Sequence, residues 1–269
     1  MAELIVNGAP PAAVYAGSTP ATAVYYGSTI IWNASPSTPA ARTFRLKYTT
    51  GTVPTSTSYW TVTPVSTSGG IYDITSTRTT DMSVSDYDHL LPSDDQITEV
   101  LSHGDCSGVT NFYKLFQYLP NLTHVCSLSF PDATTVQNLF SNCTNLTTVD
   151  GFSAGSALVN TNSMFQECNS LTAAPLFDTS HVTNIRYMFK GCSVITALPQ
   201  YNFSSVEQCA YAFAYTYLVE SGALALYNQL SANTITDSTS ETFKNCGSNT
   251  VAGAAELAQI PSSWGGTGA

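Results

Sequence analysis

Charge is scarce in this chain. Charged residues make up 10% of the 269, and 8 Lys and Arg stand against 18 Asp and Glu, for a net charge of -10. So few cations would leave a phosphate backbone repelled and not neutralised, which argues against nucleic acid as a partner. Long apolar runs are missing too, so membrane insertion is not expected. The opening Met1-Ala2-Glu3-Leu4-Ile5-Val6 has no basic segment followed by an apolar run of leader length, which disfavours export by that route. The seven cysteines (Cys106, Cys126, Cys143, Cys168, Cys192, Cys209, Cys246) never pair as C-x-x-C, which argues against a zinc site or a redox motif. Spacing alone leaves a disulfide framework open. His89, His103, His124 and His181 lack the i, i+4 spacing of a helical metal site and a Ser or Cys partner. Asp86-Tyr87-Asp88 and Asp94-Asp95 do not fit the EF-hand loop and read as solvated turn acids. No cofactor, metal or catalytic residue is expected.

What the chain does have is 43% apolar residues, 11% aromatics, and a surface supplied by Ser, Thr, Asn and Tyr. The apolar share is enough to fill a core. Within the first 32 residues, Val14-Tyr15-Ala16-Gly17-Ser18-Thr19 returns ten residues later as Val24-Tyr25-Tyr26-Gly27-Ser28-Thr29, followed by Ile30-Ile31-Trp32. Val and Tyr favour a pleated surface, and Gly17 and Gly27 suit tight turns, so each unit reads as a strand and a turn. So small a module buries little alone and is expected to dock on a partner, with Tyr15, Tyr25, Tyr26 and Trp32 as its anchor residues. Residues 33–42, NASPSTPAAR, read as a linker. Alternating segments such as Thr43-Phe44-Arg45-Leu46-Lys47-Tyr48 and Tyr59-Trp60-Thr61-Val62 then predict a β-rich cap opening a domain over 43–269.

From about residue 97 to 250 the chain repeats. Phe116, Phe140, Phe165, Phe189 and Phe213 recur at spacings of 24, 25, 24 and 24, and Phe243 follows after 30. One residue earlier stand Leu115, Leu139, Met164, Met188, Ala212 and Thr242; six later come Leu122, Leu146, Leu171, Ile195 and Val219. Apolar columns also lie seven and four before the phenylalanine. Offsets of -7, -4, -1 and 0 share one face of a short helix. Three after it, cysteine shares a column with Leu119 and Thr216, which points to packing. A short apolar segment near Val125, Val149, Ala174 and Leu198 would suit a strand. The expected fold is therefore α/β: a solenoid with one short helix and one strand in each 24- or 25-residue repeat, behind a small N-terminal β anchor.

These columns, and above all Leu176-Phe177-Asp178-Thr179-Ser180-His181-Val182-Thr183-Asn184-Ile185-Arg186-Tyr187-Met188-Phe189-Lys190-Gly191-Cys192, resemble the BspA-like leucine-rich repeats of bacterial surface proteins and bacteriophages. The resemblance covers roughly residues 97–250. It implies a leucine-rich-repeat scaffold for adhesion, without catalytic residues. Thr216, where cysteine is usual, and the degenerate repeat around Phe243 depart from the pattern, the latter as an end cap would. The tandem in residues 1–32 is similar to short modules that open many phage minor tail proteins. Together the two resemblances imply a virion protein: a tail-tip or fibre adhesin, multimeric as such adhesins often are, attached to other virion proteins through residues 1–32 and touching a carbohydrate or protein on the host surface.

Two other roles stay open at this level, a capsid or tail decoration protein and a tail-borne polysaccharide-degrading enzyme. The second would need a carboxylate pair across a cleft, and Glu167, Asp178, Glu207 and Glu241 do not recur in one column. Positions two and three before each phenylalanine should face outward, and tyrosine there can stack on a sugar ring and hydrogen-bond it. Tyr113, Arg186, Tyr187 and Tyr211, with Tyr215 and Tyr217 nearby, are the candidate recognition residues. The Asn121, Asn142, Asn145 and Asn202 sequons read as turn asparagines.

Overall fold

A computed structural model describes residues 15–16, 19–20, 23–26, 29–33, 40–66, 69–84, 91–92 and 94–269, the first four segments by their backbone alone. The fold is mixed α/β, mostly strands with few helices, and among the described residues no sheet closes into a barrel. Two compact units divide between Thr38 and Pro39.

In the first unit, β1 (Tyr15–Ala16) pairs antiparallel with β2 (Thr19–Pro20), and β3 (Ala23–Tyr26) pairs antiparallel with β4 (Thr29–Asn33). Each unit of the tandem thus contributes two paired strands, where the sequence suggested one strand per unit. The side chains of Tyr15, Tyr25, Tyr26 and Trp32 lie outside the described residues.

The second unit opens with β5 (Thr43–Tyr48), β6 (Trp60–Ser66) and β7 (Ile71–Ser76), and continues with β8 (Ile97–His103), β9 (His124–Val125), β10 (Leu128–Phe130), β11 (Thr148–Val149) and β12 (Phe152–Ala154). A six-stranded sheet runs β11-β9-β8-β5-β7-β6, with β5 antiparallel to β7 and β8 and with β8, β9 and β11 parallel. Strand alternation separates its faces. Phe44, Leu46, Tyr72, Ile74, Val100 and Val125 enter one continuous core, while Arg45 with Asp73 and Lys47 with Glu99 pair across strands on the other face. β10 and β12 form a second, parallel pair. The strands expected near Val125 and Val149 are present; near Leu198 the backbone keeps only a single parallel bridge, Ala197 to Ser221, and Ala174 lies in no strand.

The helix expected in each repeat does not form. Between its strands the chain passes instead through overlapping turns: the Leu139, Ser141 and Cys143 N–H groups donate to the Val136, Asn138 and Phe140 carbonyls, at 3.1, 3.2 and 3.1 Å. The alternate N–H groups of Val136, Asn138, Phe140 and Asn142 leave the repeat and donate to Asn160, Asn162, Met164 and Gln166 carbonyls of the next, at 3.0, 2.9, 2.9 and 2.7 Å. Positive φ two residues before and after the phenylalanine, as at Asn138 (58°) and Asn142 (63°), breaks any right-handed helix and is the angle a type II turn needs. Turns that each span three residues bring the chain back to the same side about as often as a helix does. The same columns are therefore buried, Phe116, Phe140, Phe165, Phe189, Phe213 and Phe243 all at 0% exposure.

Those rings lie near-parallel in sequence order, with centroid separations of 5.6, 5.5, 5.4, 6.2 and 5.2 Å. Parallel bridges link Asp81, Asn111, Thr135, Asn160, Asn184 and Gln208 in the same register. The 30-residue step from Phe213 to Phe243 contains α1 (Ala223–Leu230), and α2 (Val251–Leu257) follows, its first turn capped by the Thr250 hydroxyl accepting from the Gly253 N–H at 3.0 Å.

The cysteines are free thiols, six buried and Cys126 half-buried. The Cys143, Cys168 and Cys192 thiols donate to the carbonyls of Phe116, Phe140 and Phe165, one repeat back, at 2.9, 3.1 and 3.1 Å. Burial pushes the Cys106, Cys143, Cys209 and Cys246 thiols up to about 12, and Cys126 to about 11, so all remain protonated donors near neutrality. At pH 8 a thiol reagent is expected to label Cys126 first in the native protein and the others only on unfolding, which a mass-spectrometric time course reads directly. An unfolded thiol ionises near 8.5. The folded values lie above that, so stability is full below about pH 8.5 and declines as pH rises toward the folded values.

Candidate recognition site

The turn geometry places the outward positions of successive repeats directly beside each other. Tyr187 and Tyr211, both two before their phenylalanines and both at positive φ (56° and 60°), stack at 5.1 Å with 11° between ring planes. Tyr215 and Tyr217 stand 6.2 Å apart and tilted by 51°. The Lys190 ammonium joins the two pairs, 5.8 Å from the Tyr187 ring centroid, 5.9 Å from Tyr211 and 6.0 Å from Tyr215. Its nearest carboxylate is Glu167, at 3.8 Å. Lys244 lies 6.0 Å from the Tyr215 ring centroid, and its hydrogen bond to Glu241, at 2.9 Å, holds its pKa above the ordinary lysine value.

Of the residues the sequence singled out, Tyr187, Tyr211, Tyr215 and Tyr217 thus come together, each half-buried. Tyr113 does not join them. It sits three repeats away, with Lys114 4.9 Å from its ring centroid. Arg186 has a different place: its Nε donates to Asp237 Oδ2 at 2.7 Å, and the same carboxylate accepts the Cys209 and Ala210 N–H groups at 3.1 and 3.0 Å. Arg186 therefore ties the tyrosine-bearing turns to the loop that follows α1. Asp86, Tyr87, Asp88 and His89 lie outside the described residues.

Sequence reasoning missed Lys190, Lys244 and Asp237, and weighed Glu167 only as a catalytic acid. A count could have found the first two, since beyond Lys114 the chain's only Lys and Arg are Arg186, Lys190 and Lys244, the two lysines at this patch and Arg186 next to Tyr187 in the chain. Beside the patch, Glu167, Asn169, Lys190, Gly191, Ser193, Tyr215 and Tyr217 line an open depression of about 270 Å³. A larger open hollow around Thr183, Ser205, Glu207 and Asn233 has no aromatic ring among its lining residues.

Mixed α/β structure, repeated turns in parallel register and an aromatic surface patch define a repeat protein with a chemically distinct surface region. The chain belongs to the family described as Mycoplasma protein of unknown function, DUF285, a family of BspA-like repeats, which matches residues 71–174 and again 134–248. Overlapping matches are what an internally repetitive chain gives. No curated protein and no solved structure matches it.

Proposed function

We propose that this chain is a non-catalytic recognition protein, a leucine-rich-repeat-type solenoid carried on a bacteriophage tail tip or fibre, which reads the host cell surface through the tyrosine patch around Lys190. The observation that carries the proposal is that patch: three half-buried tyrosines from adjacent repeats gathered around one ammonium, with Tyr217 beside the third. Tyrosine gives a large, stiff contact area with a polar tip, at little cost in ordering. The solenoid is supported by the inter-repeat backbone bonds and the ring stack, which bury each repeat against its neighbours as solenoids do. The virion assignment rests on the tandem of residues 1–32, which acts as the attachment to other virion proteins. Several copies per particle would offset weak single-site contacts.

The test pairs location with competition. Imaging of the particle should place the chain at the tail tip, and the purified chain should block adsorption of the phage to its host. Tyr187→Ala and Tyr211→Ala together should weaken that block at least tenfold while leaving the fold intact by circular dichroism. Density on the capsid shell would favour decoration, and absence from the particle would sink the virion assignment.

A further inference from the structure

We infer that the depression beside the tyrosine patch is a subsite for one neutral pyranose ring of a surface glycan, a proposal that rests on the recognition function above. Its shape comes from one missing side chain. Two residues after the phenylalanine, successive repeats read Glu167, Gly191 and Tyr215, so the glycine makes room for the Glu167 carboxylate on one side of a notch that has the Tyr215 ring in its lining. Four residues after the phenylalanine the column reads Asn169, Ser193 and Tyr217, which supplies a polar side and a second ring to the same notch. The backbone at Gly191 has φ +79°, and a Cβ built there would fall 2.5 Å from the Glu167 carboxylate. Glu167 lies in the space a side chain at 191 would fill.

The chemistry of the walls selects the occupant. Tyr215 and Tyr217, tilted to each other and both lining the depression, offer aromatic surface to the apolar C–H side of a sugar ring. The Glu167 carboxylate and the Lys190 ammonium, 3.8 Å apart, form an acceptor and a donor spaced for the two hydroxyls of a vicinal diol. Their charges cancel, so an anionic uronate or phosphate-bearing unit meets a carboxylate as well as an ammonium and gains nothing from its charge. At about 270 Å³ the space is below the usual range of drug-sized pockets, roughly 300–1,000 Å³, and suits one ring of a longer chain.

Two substitutions test the notch without disturbing the backbone. Asn142 and Asn245 occupy the same column at φ 63° and 57°, so asparagine is accommodated there. Tyr215→Asn removes one ring, and Gly191→Asn drives the Glu167 carboxylate out of its place in the wall of the notch. Tyr118→Asn is the control, a tyrosine of the same column at φ 57° and 62% exposure, far from Lys190. The full-length protein is titrated calorimetrically with neutral polysaccharides and their oligomers (glucans, galactans, rhamnans and N-acetylhexosamine polymers) and with a polyuronate and a teichoic acid. Binding of at least one neutral glycan, weakened tenfold or more by Tyr215→Asn and by Gly191→Asn and unchanged by Tyr118→Asn, is the expected result. Preference for the anionic polymers, binding indifferent to both variants, or no glycan binding at all would overturn it. Host cells treated with periodate or protease separate this from the parent proposal. If adsorption survives periodate and is lost to protease, the receptor is a protein: the sugar subsite falls and the adhesin stands. If the chain binds a neutral glycan through the notch yet no host cell, the adhesin falls and the subsite stands.

Discussion

Replacing Phe165 by Ala is expected to lower the free energy of unfolding by about 3–5 kcal/mol, the range for emptying a fully buried phenylalanine site. Phe165 has 0% exposure and faces Phe140 at 5.5 Å on one side and Phe189 at 5.4 Å on the other. Truncation therefore opens a void between two repeats and removes two ring contacts at once, each worth about 0.5–1.5 kcal/mol beyond area burial. The surrounding turns are poorly placed to collapse into that void. Their alternate N–H groups are fixed to the next repeat, with the Phe165 N–H itself donating to the Met188 carbonyl at 2.9 Å. Phe165→Leu keeps most of the volume and should cost about 1–2 kcal/mol, below the alanine range. Urea denaturation of the full-length chain, followed by circular dichroism and tyrosine fluorescence, measures both. A loss under about 1 kcal/mol for Phe165→Ala, at unchanged denaturant slope, would show that the ring stack is not a continuous core.

That core is the part of the molecule most legible in the sequence, because burial constrains side chains column by column. Offsets -7, -4, -1, 0, +3 and +6 hold apolar residues or their small substitutes, and in the four middle repeats all of these positions are buried. What the columns could not reveal is the backbone that creates them. Turns that each span three residues and a helix of 3.6 bring nearly the same positions inward. The discriminating signal is polar and weak: residues tolerant of positive φ, Asn138, Asn142, Gly191 and Asn245, recur two before or after the phenylalanine, but share those columns with Lys114, Glu167 and Tyr187, which have no such preference. The tyrosines of the site were visible because they are outward and aromatic. Lys190 was not, because a lone lysine in a column with Gln117 and Ser141 carries no periodic signal, and its role depends on rings contributed by the next repeat. Asp237 was hidden by the longer step before Phe243, which obscures the register just where its carboxylate turns back into the preceding repeats.

Asp237→Ala should cost about 3 kcal/mol of stability and, unlike the phenylalanine change, should also weaken recognition. The carboxylate has 4% side-chain exposure and accepts from the Arg186 guanidinium at 2.7 Å and from the Cys209 and Ala210 N–H groups at 3.1 and 3.0 Å. Removing it strands two backbone donors and a cation, and the loss of one partner of a buried ion pair is among the more damaging single changes, at about 3–5 kcal/mol. Arg186 is 36% exposed and can turn to water, which places the expectation at the lower end. Asp237→Asn keeps the side-chain volume and one oxygen but exchanges an acceptor for a donor, so an intermediate loss of about 1–2 kcal/mol is expected. The functional consequence follows from what the three donors hold. Arg186 precedes Tyr187, and Ala210 precedes Tyr211, so one carboxylate fixes the turns beneath both stacked rings. Freed from it, the rings should keep their identity and lose their spacing. Asp237→Ala is therefore expected to reduce competition for adsorption several-fold at a temperature where circular dichroism still shows the folded protein, without any contact between Asp237 and the receptor. Full competition by that variant would mean that the Tyr187–Tyr211 pair does not carry recognition, and the contact would then have to be sought elsewhere on the repeat surface.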